Sequence, residues 1–158
     1  MLCTLLSTAI LLLVPGIQGS FLDFEVLGAI PNDSTTETAI FNGKLLNSTW
    51  NNLQSGDTFF VQNKTYTVMG GIKINGWKNI KIQIDGTLSF SNDRDAWPRQ
   101  LNGDVEECMY LSNIENVTFT SGGKGIFDGQ GEFYFFACKS ESVYFISLQH
   151  RQRMVGSY

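Results

Sequence analysis

Short alternating runs of apolar and polar residues occupy the middle of the chain. From Thr58 to Phe90 the period of hydrophobicity is two, and Asn, Gly and Asp separate one run from the next. A period of two places every second side chain on the same face of a β-strand, and the separating residues favour turns. The pattern therefore predicts short strands whose buried residues are Phe59/Val61, Tyr66/Val68, Ile72/Ile74, Ile80/Ile82/Ile84 and Leu88/Phe90.

The segment before these strands has helical spacing instead. Ser34 and Glu37 form a capping box, in which each side chain accepts a hydrogen bond from a free backbone N–H at the helix start. Apolar residues then recur on one face, although Gly43 costs about 1 kcal/mol relative to alanine in a helix interior. We predict one helix from Ser34 to Leu53, with an apolar stripe formed by Ala39, Ile40, Leu46, Trp50 and Leu53.

An internal repeat relates successive strands to one another. Residues 72–82 align with residues 109–119, so that apolar positions coincide and Asn79 falls on Asn116. After two extra residues in the second copy, Gly86-Thr-Leu falls on Gly125-Ile-Phe. A fainter third copy begins at Cys138.

This repeat determines the predicted fold class. Repeats of about 20 to 50 residues are typical of solenoids, and each copy here contains strands and turns but no helix. We therefore predict an all-β, parallel β-helix in which Asn79 lies over Asn116 as a ladder at one corner. An antiparallel sandwich of the same short strands is the alternative.

The first residues form an uncharged apolar segment. Leu2–Val14 is followed by small residues up to Ser20. An apolar segment of this length followed by small residues at a cleavage site is typical of a secretory signal peptide, although no Lys or Arg precedes it. The segment is short for a membrane anchor. A buried strand or helix is the alternative. We therefore predict a signal peptide at residues 1–19 and a secreted, extracellular mature protein. Four Asn-x-Ser/Thr sequons agree with secretion and are candidate glycosylation sites: Asn32, Asn47, Asn63 and Asn116.

Charge and cysteine content narrow the classes of partner. The formal net charge is −4 and no basic cluster is evident, which argues against nucleic acid and against an anionic membrane surface. The few scattered His and Cys residues predict neither a metal site nor a cofactor. Cys108 and Cys138 would lie about 13 Å apart in the repeat register. A disulfide tolerates only about 7 Å, so the register argues against their pairing.

Several stretches in this order are similar to one enzyme family. They are Phe24-Glu-Val-Leu-Gly-Ala-Ile-Pro-Asn-Asp33, Gly56-Asp-Thr-Phe-Phe-Val61, Ile80-Lys-Ile-Gln-Ile-Asp-Gly-Thr-Leu88 and Gly123-Lys-Gly-Ile-Phe-Asp-Gly-Gln-Gly131. The last is similar to the Gly-x-Ile-Asp-Gly-x-Gly segment of glycoside hydrolase family 28, the polygalacturonases. From Phe24 to Gly131 the chain resembles the N-terminal portion of that family.

The resemblance implies a right-handed parallel β-helix with an N-terminal capping α-helix, here C-terminally incomplete. It implies a β-helix domain over residues 20–148, an atypical tail at 149–158, and a monomer that acts on a pectin-like polysaccharide. The family hydrolyses α-1,4-galacturonosyl bonds by inversion, with acid and base roughly 6.5 to 9.5 Å apart. A pectate-lyase-like eliminase and a non-catalytic carbohydrate-binding β-helix are the alternatives.

The catalytic motifs of the family are absent from this sequence. There is no Asn-Thr-Asp, no Asp-Asp pair, no Gly-His-Gly and no Arg-x-Lys, and the single histidine, His150, does not lie between glycines. In the family these motifs follow the segment matched by residues 123–131. We therefore assign no catalytic residue and expect the chain alone to lack hydrolase activity.

A few residues remain as candidates for contact or structure. Trp97 and Arg99 could form a lip that contacts sugar, because an aromatic face stacks on a sugar ring and Arg forks a carboxylate. The neighbouring pair Asp93 and Asp95 fits a solvated turn better than a catalytic dyad. Three further predictions are structural: Asp85 and Asp128 cap tight turns, and Trp77 belongs to the core.

Overall fold

The computed structural model describes residues 19–131. Within that range the chain forms one α-helix and nine short β-strands. In chain order they are β1 (Phe21–Asp23), α1 (Thr36–Asn51), β2 (Thr58–Val61), β3 (Thr65–Val68), β4 (Ile72–Asn75), β5 (Lys81–Ile84), β6 (Thr87–Phe90), β7 (Met109–Ser112), β8 (Thr118–Thr120) and β9 (Ile126–Asp128). The five strand runs predicted between residues 58 and 90 are confirmed as β2 to β6.

The strands form three sheets in which every strand pair is parallel. Sheet 1 has the order β1-β2-β5-β8, sheet 2 has β3-β6-β9, and sheet 3 has β4-β7. From β2 onward the chain visits the sheets in rotation, so each strand pairs with the strand three places later. This arrangement is consistent with a parallel β-helix. The antiparallel sandwich is wrong for residues 19–131, because its sheets require antiparallel neighbours.

The register of these pairs is the one that the internal repeat predicts. Ile72 pairs with Met109 and Ile74 with Leu111 in sheet 3. In sheet 1 Ile82 pairs with Phe119, and in sheet 2 Thr87 pairs with Ile126. The predicted ladder is confirmed as well, since Asn116 Nδ2 donates to Asn79 Oδ1 at 2.7 Å.

Aromatic side chains from the helix and the strands pack together at the centre of the core. Trp50 of α1 lies edge-on to Phe59 of β2, with ring centroids 5.7 Å apart, and 5.1 Å from the centroid of Trp77. Trp77 Nε1 donates to the backbone oxygen of Trp50 at 2.7 Å. All three side chains are buried, which confirms the core prediction for Trp77 and places the helix against the sheets.

The helix starts two residues later than predicted, and the predicted capping box is wrong. The N-cap is Thr35, whose side chain accepts a hydrogen bond from the backbone N–H of Thr38. The physical reason is Asp33, which binds the Thr38 hydroxyl at 2.7 Å and the Thr35 N–H at 2.9 Å and so moves the cap by one residue. Glu37 still lies in the first turn, where a negative charge favours the positive end of the helix dipole.

Two polar or small residues allow the helix to approach the sheets closely. Asn42 is fully buried, and its side-chain amide accepts from Ile30 N and donates to Ile30 O and Thr67 O at 2.9 to 3.0 Å. Gly43 lies against Met69, whose backbone oxygen would be 2.6 Å from a Cβ added there. Glycine lowers the intrinsic stability of the helix at this position, but it allows the helix backbone to lie close to the backbone of Met69.

The two aspartates predicted to cap tight turns behave differently. Asp128 accepts from the N–H of Gln130, two residues on, at 2.9 Å, so its prediction is confirmed. Asp85 instead accepts from the N–H of Gly122 at 2.6 Å, so the prediction that it caps its own turn is wrong. The parallel pairing of β5 with β8 explains the difference, because it places the segment that follows β8, which contains Gly122, directly beside Asp85.

Several predictions fall on residues outside the described range. They concern residues 1–18 of the predicted signal peptide, the third repeat copy from Cys138, and the tail at 149–158 with His150. The predicted absence of a disulfide between Cys108 and Cys138 also depends on a residue outside this range. None of the helical structure within residues 19–131 has the length and apolar character that crossing a bilayer requires.

Candidate functional site

A long loop between β6 and β7 is held over sheet 3 by a buried tryptophan. The Trp97 side chain is only 4% exposed, and its Nε1 donates to the backbone oxygen of Glu106 at 2.8 Å. A Cβ on Gly70 would overlap the Trp97 ring, and Pro98 lies against Gly71. The absence of side chains at Gly70 and Gly71, just before β4, therefore leaves the space in which Trp97 and Pro98 of the loop pack.

The outer part of this loop forms a small hairpin-like arm. Arg99 and Val105 make an isolated antiparallel bridge. Gln100 N donates to Asp104 O at 2.7 Å, and Gly103 N donates back to Gln100 O at 2.9 Å. Gly103 has φ of +89°, a conformation that glycine adopts without strain. We call residues 98–107 the arm.

The arm and the outward face of sheet 3 border an open, shallow cleft of about 550 Å³. Strand alternation places Lys73 of β4 and Tyr110 of β7 on the same outward face, and the two residues are direct partners in the parallel register. The cleft is lined by Lys73, Gln100, Leu101, Asn102, Glu106, Glu107 and Tyr110.

The cleft contains one cationic side chain and two carboxylates, and the cation is paired with one of them. Lys73 Nζ and Glu106 Oε1 form an ion pair at 2.7 Å, with the Lys73 side chain 56% exposed and that of Glu106 11% exposed. The other carboxylate oxygen of Glu106 is buried and accepts no hydrogen bond within residues 19–131. Glu107 adds a second carboxylate to the lining. With one cation and two anions, the cleft has a formal charge of −1.

Chemically, the cleft combines an aromatic ring with several polar groups. Tyr110 is 40% exposed, so it offers ring surface to a ligand as well as a hydroxyl. Gln100 and Asn102 supply amides, and the carboxylates supply acceptors. A ligand that suits this set has an apolar face and several hydroxyls, which are the properties of a sugar ring.

The two residues predicted to contact sugar lie near the cleft but do not line it. Trp97 is buried beneath the arm, and exposed Arg99 donates from Nη1 to Gly103 O at 3.2 Å. Neither side chain belongs to the cleft lining, and the predicted sugar contact of both stays a prediction. Sequence reasoning did not single out Tyr110, although an aromatic residue at an outward position of a repeated strand is a signal that could have identified it.

Asp93 connects this loop to the start of the helix. Its carboxylate accepts from the Thr36 hydroxyl at 2.6 Å and from the N–H groups of Asp95 and Ala96 at 3.1 Å. The Thr36 hydrogen bond, followed by the Ala96 N–H, holds the pKa of Asp93 below its usual value. Asp93 is therefore a turn-forming residue, as predicted, and it also connects the loop to α1.

Cys108 lies directly before β7 and is half-buried. Burial raises the pKa of its thiol to about 11. A neutral thiol is a poor nucleophile, so Cys108 is not assigned a chemical role. Among residues 19–131, no group of three His, Cys, Asp or Glu side chains is arranged to hold a metal ion.

The four sequons lie in different local environments. Asn32 and Asn63 are exposed in turns, and Asn63 lies between β2 and β3. Asn47 lies within α1 and accepts from Lys73 N at 3.0 Å. Asn116 belongs to the corner ladder. Glycosylation of these residues stays a prediction.

Comparison with known proteins gives one partial similarity. Over 78 residues the chain is 30% identical to a protein of Emericella nidulans described as "Probable endo-xylogalacturonan hydrolase A". The matched part is 49% of this chain, and it covers only 18% of the length of that relative. No protein-family model matches the chain, and no solved structure matches it.

Proposed function

We propose that this chain is the N-terminal part of a secreted glycoside hydrolase of the polygalacturonase type. The whole enzyme hydrolyses α-1,4-galacturonosyl bonds of pectin by inversion, on a right-handed parallel β-helix whose N-terminal end is capped by α1. The observation that carries the proposal is the similarity over 78 residues to a xylogalacturonan hydrolase. The rotation of parallel strands through three sheets supports the same family of folds.

Within this enzyme the described residues act as scaffold and substrate-binding surface. The catalytic Asn-Thr-Asp and Asp-Asp motifs of the family are absent from the sequence, so no acid or base is assigned to residues 19–131. Inverting hydrolysis requires two carboxyl groups that hold a water molecule between them. In our proposal those groups belong to later turns of the same β-helix.

The first test is turnover by the purified 158-residue chain. We expect no release of reducing ends from polygalacturonate or from xylogalacturonan. Clear turnover that a single Asp→Asn change within residues 19–131 abolishes would contradict the absence of a catalytic site. An unsaturated product, detected by its ultraviolet absorbance, would instead indicate an eliminase.

The second test concerns the gene. Genomic DNA following the codon of Tyr158 should encode, in one of its frames, the Asn-Thr-Asp, Asp-Asp and Gly-His-Gly motifs. Fusing that sequence to this chain should then produce polygalacturonate hydrolysis with inversion, which NMR of the first-formed anomer measures. If no such sequence follows, and the chain binds pectin without cleaving it, a non-catalytic carbohydrate-binding protein becomes the better description. The sugar-type cleft beneath the arm favours that second candidate.

A further inference from the structure

We propose that the cleft between the arm and sheet 3 binds an uncharged sugar unit and discriminates against a free uronate. The unit would be either a neutral branch or a uronosyl residue whose carboxyl group is esterified. The choice of a pectin-type carbohydrate rests on the proposed function. The preference for an uncharged unit rests on the charges and contacts of the cleft itself.

The first argument is that the single cation lining the cleft, Lys73, is already paired with a carboxylate. Lys73 is already bound to Glu106 at 2.7 Å, and Glu107 contributes a further negative charge. Arg99, the single cation of the arm, donates to Gly103 O and does not line the cleft. A bound uronate would therefore share Lys73 with Glu106 and lie beside Glu107, and like charges at contact distance oppose binding.

The second argument is that the remaining groups suit a hydroxylated ring. The exposed surface of Tyr110 can pack against the C–H face of a sugar. The Gln100 amide can donate and accept, and the Glu107 carboxylate can accept from two hydroxyls. Charged acceptors make stronger hydrogen bonds to neutral donors than uncharged acceptors do, so Glu107 favours the neutral sugar and opposes the uronate.

The third argument is that contacts within the protein hold the walls of the cleft in place. Buried Trp97 anchors the arm, and Glu106 N donates to Pro98 O at 2.9 Å across its base. Lys73 and Tyr110 are held side by side by the parallel pairing of β4 and β7. Binding therefore need not order the site, which reduces the entropy cost of association.

The experiment compares three probes on the purified 158-residue chain by calorimetric or NMR titration. They are an oligogalacturonate, the same oligomer with its carboxyl groups methyl-esterified, and a neutral xylo-oligosaccharide. We expect the ester to bind at least about fourfold more tightly than the free acid at low salt, from one like-charge contact at roughly 5 Å in water. This ratio should shrink as salt is added, because salt screens the repulsion. The ester and the xylo-oligosaccharide then separate the two sources of an uncharged unit.

Three variants assign the binding to this cleft. Glu107→Gln should strengthen binding of the free acid and bring its affinity closer to that of the ester. Tyr110→Ala should weaken binding of the preferred probe by about tenfold, the effect of removing an aromatic anchor. Gln100→Ala, on the exposed arm, provides a second test if Tyr110→Ala fails to fold. Phe41→Ala, an exposed aromatic of α1 outside the cleft, is the matched control and should bind as the unaltered chain does.

The possible results separate this inference from the proposed function. Tighter binding of the free acid, or binding that neither Tyr110→Ala nor Gln100→Ala weakens, would overturn the inference and leave a pectin-directed protein. Binding of the xylo-oligosaccharide with no affinity for either galacturonan would support an uncharged-sugar cleft and contradict pectin as the substrate. Binding of none of the three probes would overturn the assignment of the cleft, while the gene-fusion assay would still decide the proposed function.

Discussion

Asn116 donates a hydrogen bond from Nδ2 to Oδ1 of Asn79, at 2.7 Å, across two successive turns of the chain. Asn79 in turn donates to Ser55 Oγ at 2.9 Å. Both asparagines have positive φ, +53° and +52°, a left-handed conformation that Asn tolerates better than most residues. The ladder therefore does two things at once: it satisfies side-chain donors and stabilises a sharp corner of the backbone.

Replacing Asn116 should measure the value of this ladder. We expect Asn116→Ala to lower the free energy of unfolding by about 1 to 2 kcal/mol, from the lost hydrogen bond and the strained left-handed backbone. Chemical denaturation of bacterially produced protein, which carries no glycan, is the measurement. Asn63→Ala is the matched control, because Asn63 is exposed in a turn. Equal stability of the two variants would show that the ladder contributes nothing.

The ladder also shows how much of the fold could be predicted from sequence. The residue-by-residue repeat predicted the pairing of β4 with β7 and of β5 with β8, because parallel stacking places equivalent positions side by side. It did not predict the partner of Asp85, since a bond to Gly122 depends on the exact shape of two neighbouring turns. The helix start was misplaced for a similar local reason, because Asp33 accepts hydrogen bonds from the Thr35 N–H and the Thr38 hydroxyl.

The candidate site was harder to predict, because the loop that forms it belongs to no repeat. The sequence predicted a sugar contact for Trp97 in this loop, but nothing in the local sequence showed that the Trp97 ring would lie against Gly70. That ring is buried, and the exposed aromatic side chain of the cleft is Tyr110. The position of the candidate site therefore depends on the long-range packing of a loop, which the local sequence does not predict. The strands depend on short-range alternation, which it does predict.

Gly43 provides a second test, because two physical effects oppose each other there. Alanine is the better helix former by about 1 kcal/mol. A Cβ at this position would, however, lie 2.6 Å from Met69 O and 2.8 Å from Met69 N. Met69 is buried directly after β3, and its N–H donates to Ala39 O of the helix at 2.7 Å. Its backbone atoms therefore cannot yield cheaply, and we expect Gly43→Ala to destabilise the protein by about 2 kcal/mol. Lys44→Ala, at an exposed position of the same helix, should be nearly neutral in the same denaturation experiment. An increased midpoint for Gly43→Ala would mean that helix propensity dominates.

Two of the sequons, Asn63 and Asn47, differ enough to predict whether each carries a glycan. Asn63 lies exposed between β2 and β3, whereas Asn47 is half-buried and its Oδ1 binds Lys73 N at 3.0 Å and Asn51 Nδ2 at 3.2 Å. In protein secreted from a eukaryotic host, we expect a glycan on Asn63 and none on Asn47. Peptide mapping after enzymatic deglycosylation locates the sites. Asn63→Gln should remove one glycan without changing the melting temperature. Full occupancy of Asn47 in folded protein would contradict the packing described for that residue.

Asp93 should make the contact between the loop and the helix sensitive to acid. Hydrogen bonds from Thr36 and Ala96 lower the pKa of Asp93 below its usual value of 3.8. A carboxyl group whose pKa is lower in the folded state stabilises that state fully above its unfolded pKa. This stabilisation is lost as the pH falls through the lower, folded pKa. Asp93→Asn should therefore have a lower melting temperature than the unaltered protein at pH 6, and the difference should diminish below about pH 4.

Removing the donor provides an independent check of the same contact. Thr36→Val keeps the shape of the side chain but loses the hydroxyl that binds Asp93 Oδ2 at 2.6 Å. Its effect on the melting temperature should also be largest near pH 6 and smaller in acid, because the neutral carboxyl accepts a weaker hydrogen bond. Combining it with Asp93→Asn should add less than the sum of the two single effects, since both remove one interaction. Thr118→Val, at an exposed position of β8, is the control for a lost hydroxyl. A deficit for Thr36→Val that stays constant from pH 6 to about pH 2 would show that the hydroxyl stabilises the protein through something other than the ionised Asp93.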